Sequence, residues 1–177
     1  GTINDLIQTS SGRILVGGDM QQNAERFFVG LNSNGFPDSS YLPNQGTSFT
    51  DSIQTHTVQP DGKILVGGKF GIRNGSATLH GFARLNADGT PDARFNARLC
   101  QGFNLLFENP VIKSIALQQD GKILVGGIFS KFNGANYSNL MRFHSDGSID
   151  TSFSSKLSSF TDSDGVGAIA VQADGKI

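Results

Sequence analysis

The chain has 177 residues, and its 14 basic side chains nearly balance 15 acidic ones, so it has neither the basic stripe of a nucleic-acid binder nor an acidic solvating tail. Its 23 glycines and 14 phenylalanines, the absence of tryptophan and the many short β-branched runs favour an all-β domain. The single cysteine, Cys100, excludes an internal disulfide, and no apolar run reaches membrane-spanning length.

The chain repeats itself. Gly12-Arg13-Ile14-Leu15-Val16-Gly17-Gly18 returns as Gly62-Lys63-Ile64-Leu65-Val66-Gly67-Gly68 and as Gly121-Lys122-Ile123-Leu124-Val125-Gly126-Gly127, and a further copy opens at Gly175-Lys176-Ile177. The leading glycines lie 50, 59 and 54 residues apart, a period that marks an array of supersecondary units. The units divide the chain into 1–52, a divergent copy, 53–110, 111–165, and the start of a fourth at 166–177.

In chain order, each unit reads as four short strands. The first covers Ile53 to Gln59, Ile112 to Gln118 and Val166 to Gln172, with residues alternating between faces at a strand period. Turns containing Asp-Gly follow at Pro60-Asp61-Gly62 and Gln119-Asp120-Gly121, where glycine takes the positive φ that a tight hairpin needs. The second strand, Ile-Leu-Val-Gly-Gly, has no polar face, so both of its faces should be buried, and its glycines should admit a bulge or a close backbone approach. The third strand holds Phe27 to Leu31, Phe82 to Leu85 and Leu140 to Phe143. A brief fourth strand carries Asp-x-x-aromatic at Asp38 to Tyr41, Asp92 to Phe95 and Asp150 to Phe153. Four antiparallel strands in units of this length describe the blades of a β-propeller, about three blades plus the start of a fourth.

The run Gln59 to Gly68, followed by Phe70, Asn74-Gly75, Arg84 to Gly89, Asp92 and Phe95, resembles the delta-60 repeat, a β-propeller repeat of uncharacterised function in large bacterial proteins. Phe129, Asn133-Gly134, Arg142, Asp146-Gly147, Asp150 and Phe153 repeat the match. The first unit departs from it, with Ser11 for the turn Asp and Gly30 for the Arg. The resemblance implies tandem arrays in secreted or surface-exposed bacterial proteins and no known activity. Three full units fall short of the four to eight blades of a closed ring, so a segment of a longer protein is expected, with closure between chains as the alternative.

The repeated aspartates are the first candidates for chemistry. Asp38, Asp92 and Asp150 each precede an aromatic by three, and the expected role is structural. The carboxylate should accept backbone N–H bonds while the aromatic packs between blades. Arg84 and Arg142 lie eight residues earlier, across the hairpin, and can pair with their Asp. The turn glycines Gly62 and Gly121 belong to the same structural set. Calcium is the second reading: Asp88, Asp92, Asp146 and Asp150 offer oxygens around a glycine turn, but they fall short of an EF-hand ligand set. No cofactor is otherwise expected.

The three histidines sit at unrelated positions of the repeat. His144 replaces a turn Asn, His80 falls in a loop, and His56 lies on the innermost strand, where it would either line the channel or sit hydrogen-bonded in the interior. No Ser/His/Asp, Cys/His or zinc-type spacing is present, and the Gly-Gly pairs lack the Lys-Ser/Thr and helix of a phosphate loop.

The first and third turns of each unit share one face of a meander and are short and alike. The segments on the opposite face vary, and a rigid scaffold with variable loops on one face suits binding. Phe103, Leu106 and Phe107 in an apolar connector, with Asn74 and Asn133, are the candidate binding-loop residues. The expectation is a non-catalytic scaffold or adhesive module of a secreted or cell-surface protein, meeting a protein or glycan ligand or further blades. The alternatives are a structural repeat of a surface filament and a hydrolase whose site lines the complete channel.

Overall fold

The computed structural model describes residues 1–19, 28–41, 49–74, 77–99, 110–132, 135–137, 139–154 and 165–177, without the side chains of 73, 74, 77, 78 and 154. Three antiparallel three-stranded sheets follow one another along the chain. The first orders β1 (Thr2–Gln8), β2 (Ile14–Asp19) and β3 (Phe28–Leu31). The second orders β4 (Ile53–Val58), β5 (Ile64–Asn74) and β6 (Ala77–Leu85), and the helix α1 (Ala93–Leu99) follows it. In the third, β8 (Ile123–Ile128) lies between β7 (Val111–Leu117) and β11 (Leu140–Phe143), and the helical turn α2 (Thr151–Ser154) follows. A small ribbon of β9 (Lys131–Phe132) and β10 (Ala135–Asn136) stands beyond β8. The innermost strands β1, β4 and β7 neighbour one another in succession, so the sheets are blades of a β-propeller.

The Gly-Gly pair that ends each central strand is required twice over. At the first glycine of each pair, a β-carbon would come within 2.7 Å of a methyl of the next blade: Ile53 at Gly17, Ile112 at Gly67 and Val166 at Gly126. At the second, it would overlap a carbonyl at the start of the blade's own inner strand or just ahead of it, that of Thr2 at Gly18, Ser52 at Gly68 and Val111 at Gly127. Opposite each pair the register shifts, between Ile3 and Asp5, Ile53 and Thr55, and Ile112 and Ser114. The bulge and close approach read from the glycines are both present.

Between blades lies a continuous apolar core. Leu65, Val66, Leu124 and Val125 are buried, as the polar-free central strand requires. Phe82 of one blade stacks on Phe143 of the next at 5.6 Å, and Phe49 meets Phe70 edge-on at 5.0 Å.

The fourth strand of each blade needs correction. After the third turn the chain makes one isolated bridge, Leu31 with Pro37, Leu85 with Pro91 and Phe143 with Ile149, and then turns away. Asp92 caps α1, its Oδ1 accepting from Phe95 N at 3.2 Å and its carbonyl from Asn96 N at 2.9 Å. Asp150 stands likewise before α2, where Phe153 N donates to its carbonyl at 3.2 Å. Pro91 has no N–H to extend a ladder, and Asp is among the best helix N-caps, so Pro-Asp begins a helix here. The described blades are therefore three-stranded. His80, read as a loop residue, lies in β6 opposite Gly71, because β5 and β6 run on as one long hairpin.

Candidate functional site

On the face of the short turns, blades two and three enclose a polar cleft of about 380 Å³. The first turn of blade two supplies Gln59, Asp61 and Lys63, its third strand and helix supply Arg84, Asp92 and Arg94, and the third turn of blade three supplies Ser145 and Asp146. The first and third turns of blade two share one geometry. Gln59 N donates to Lys63 O at 2.7 Å and Asn86 N to Thr90 O at 2.7 Å, each closed by a glycine at positive φ, Gly62 at 81° and Gly89 at 89°. The turn aspartates fasten the loops from within. Asp61 Oδ1 accepts from Lys63 N at 3.1 Å, and Asp88 Oδ1 from Thr90 N at 2.9 Å and Thr90 Oγ1 at 2.7 Å.

Asp92 is the centre of the cleft's charge network. Its Oδ2 accepts from Lys63 Nζ at 2.8 Å and from Arg84 Nε at 3.0 Å. Arg84 stacks on the Phe95 ring at 3.9 Å and passes Nη1 across the junction to the carbonyl of Ser145 at 2.7 Å. Burial raises the Asp92 carboxyl, but Lys63, the Phe95 N–H and Arg84 outweigh it and hold the group below the usual carboxylate range. The arrangement recurs in blade three, where Asp150 meets Arg142 Nε at 3.0 Å and Lys122 Nζ at 3.6 Å, with Arg142 over Phe153 at 4.3 Å. The Ser152 hydroxyl, then Arg142 and Lys122, bring Asp150 to about 2 against the opposing effect of burial.

Blade one keeps the network with different residues. Gly30 stands where the others have Arg, and the Tyr41 ring fills the space, 2.6 Å from where a β-carbon would sit. Arg13, at the position of Lys63 and Lys122, takes over: Nε donates to Asp38 at 2.7 Å, Nη1 to the carbonyl of Ala87 in blade two at 2.9 Å, and the guanidinium lies 5.1 Å from the Tyr41 ring centre. The Ser40 hydroxyl and then Arg13 lower Asp38 to about 2.

The structure thus brings Asp38, Asp92 and Asp150 into equivalent places, each with a cation and an aromatic, and the Arg pairing read across the hairpin is present in blades two and three. What the sequence reading missed was the second cation and the reach of Arg13 and Arg84 into the next blade. The basic residue after each turn glycine, at 13, 63, 122 and 176, was the signal for the former. Asp88 and Asp146 lie in the third turns, Asp146 Oδ1 accepting from Ser148 N at 2.9 Å and Oγ at 2.7 Å, remote in role from the capping aspartates. Among the described residues, no group of three or more His, Cys, Asp and Glu side chains is placed to hold a metal ion.

His56 is interior. Its side chain is fully buried between blades one and two, the ring 5.1 Å from that of Phe28 and Nδ1 3.1 Å from Asp5 Oδ2, while Nε2 has no partner among the described residues. Its backbone N–H donates to the same Asp5 carboxylate. His144 is exposed in a third turn. Asn74 ends β5, and Asn133, Phe103, Leu106, Phe107 and Cys100 lie outside the described residues, so most of the proposed loop face does too. Among the described residues no helix is long and apolar enough to cross a membrane.

Residues 59–95 and 118–153 match the family model described as "Domain of unknown function (DUF5122) beta-propeller". Each matched stretch runs from the first turn of a unit to its Asp-x-x-aromatic, the segment that builds the charge network. No curated protein and no solved structure matches the chain. Sequence pattern, sheet arrangement and family match agree on β-propeller repeats.

Proposed function

We propose that the chain is a non-catalytic segment of a bacterial β-propeller of the delta-60 type, secreted or displayed at the cell surface, where it holds variable loops rigidly toward a protein or glycan. One observation carries this reading: the repeated aspartates are each engaged by a cation and by N–H or hydroxyl donors. A carboxylate held ionised and paired is a poor general base, and it braces the blade junction instead. The short turns carry this bracing, and the segments that vary in sequence between units are the ones proposed to bind.

Asp92→Ala and Asp150→Ala lower the melting temperature in this reading. Unchanged stability with loss of a bound ligand would overturn it. The ligand face is tested by screening the full chain against glycan arrays and purified extracellular proteins. Binding abolished by substitutions at Asn74 and Asn133 supports the loop face, whereas binding abolished by Arg94→Ala, in the turn-face cleft, refutes it. The scaffold requires no metal, so EDTA leaves the melting temperature unchanged, and a fall would restore the calcium reading.

A further inference from the structure

The cleft between blades two and three holds polar atoms that the bracing of the junction leaves over. Its floor repeats from unit to unit. Arg84 Nη1 donates to Gln59 Oε1 at 3.3 Å, as Arg142 Nη1 does to Gln118 Oε1 at 3.2 Å, and each arginine meets the aspartate of its own blade. Gln59, Arg84 and Asp92 are each more than nine-tenths buried, so these contacts fix the floor.

The rim does not repeat. The second residue after the repeated aspartate is Ser40 in blade one and Ser152 in blade three, and each gives both its N–H and its hydroxyl to that aspartate's Oδ1. Blade two has Arg94 there, and Asp92 Oδ1 takes the Phe95 N–H instead. Arg94 is exposed, lines the cleft and makes no hydrogen bond or ion pair with the described residues. Bracing therefore does not account for it. Three other groups around the cleft have capacity to spare. Gln59 Nε2 has no acceptor among the described residues, Asp61 uses only Oδ1, on the N–H of Lys63, and Asp146 Oδ2 meets Arg98 at 3.4 Å in an exposed pair.

We infer that this cleft is a binding site for an acidic sugar residue, a ring bearing one carboxylate and several hydroxyls. Arg94 takes the carboxylate through paired N–H groups that match its two oxygens. The hydroxyls donate to Asp61 Oδ2 and Asp146 Oδ2 and accept from Gln59 Nε2. Other ligand chemistries fit these groups less well. Phosphate or sulfate would set acceptor oxygens against two carboxylates, and a neutral sugar would gain nothing from the charge of Arg94. A free apolar amino acid would place its ammonium on the carboxylates, but its side chain would find no apolar wall, because Phe95 is fully buried beneath Arg84. The volume of about 380 Å³ falls in the usual range of small-ligand sites. The site lies on the face of the short turns and is independent of what the loop face binds.

The test titrates D-glucuronate into the full chain and follows its amide resonances by NMR, with D-glucose, inorganic phosphate and free leucine as comparisons. Glucuronate shifts the amides of Lys63, Ser145 and Asp146 saturably and binds more tightly than the other three. Arg94→Ser, which installs the residue of blades one and three, leaves the melting temperature unchanged and weakens glucuronate by about tenfold or more. No saturable shift at millimolar glucuronate, an equal or better affinity for glucose, phosphate or leucine, or an unaltered glucuronate affinity in Arg94→Ser overturns the inference. So does loss of glucuronate binding on substituting Asn74 and Asn133, which would move the ligand to the loop face.

Discussion

Two different neighbours forbid a β-carbon at each Gly-Gly pair, and they differ in how far they can yield. At Gly67 the obstacle is a methyl of Ile112, a side chain that can shift at some cost to packing. At Gly68 it is the carbonyl of Ser52, a backbone group just ahead of β4 that accepts from Lys69 N at 3.0 Å. Gly67→Ala should therefore lose about 1–3 kcal/mol, the usual range for overpacking, and Gly68→Ala should lose more. Urea denaturation of the two variants checks the order, and equal losses would show that the inner strand yields as readily as a methyl group. Charge at single residues also gives the fold a pH dependence. Asp38 and Asp150 titrate at about 2 in the folded chain, against roughly 3.9 for a free aspartate. The fold favours their ionised form, so their contribution is fully present above about pH 4 and disappears as the pH falls through 2. Stability measured from pH 5 to pH 2 should fall across that window, and Asp150→Asn should flatten part of the fall. An unaltered slope in the variant would mean that Asp150 is not one of the groups responsible.

At the scale of elements, the central strands and hairpins were legible because their signals are local. Ile-Leu-Val without a polar face has to be buried on both sides, and Asp-Gly fixes the turn with its own carboxylate and a positive φ. The end of each unit misled for the same reason. In the second unit Asp-x-x-aromatic suits a short strand by its apolar residues, but Pro91-Asp92 suits a helix start, and the cap prevails once Phe95 has a junction to enter. The junction, built by Ser145 and Gly147 of another unit, is absent from any local pattern, and the cleft and the reach of Arg84 were hidden with it. Capping and charge pairing at Asp92 can be separated. Asp92→Asn keeps an oxygen for the Phe95 N–H and loses the charge, whereas Asp92→Ala loses both. The alanine variant should be the less stable by about 0.5–2 kcal/mol, the value of an N-cap. Equal stabilities by chemical denaturation would show that α1 is held by Phe95 packing and not by its cap.

The whole molecule is an array in which each blade leans on its neighbours, and stability in such arrays is shared between units and their junctions. Inner strands β4 and β7 each have a blade on both sides: His56 and Ile53 seat against blade one while Gly67 of the same sheet receives Ile112, and Ser114 Oγ of β7 in turn accepts from Ile169. Strand β1 has a neighbour on one side and turns Ile3 and Leu6 to solvent. Local opening exposes least new apolar surface where one face is already wet, so opening free energies should be lowest in β1 and highest in β4 and β7. Native-state hydrogen exchange should show that gradient, with amides of Thr57 and Ala116 exchanging far more slowly than that of the equivalent Ile7. Because these three strands share the same ladder geometry and the same bulge, the comparison isolates the blade junction from the hydrogen bonds within a sheet. If β1 proved as protected as β4, its cohesion would have to come from the hairpin with β2 alone, and the junctions would contribute little to holding the array together.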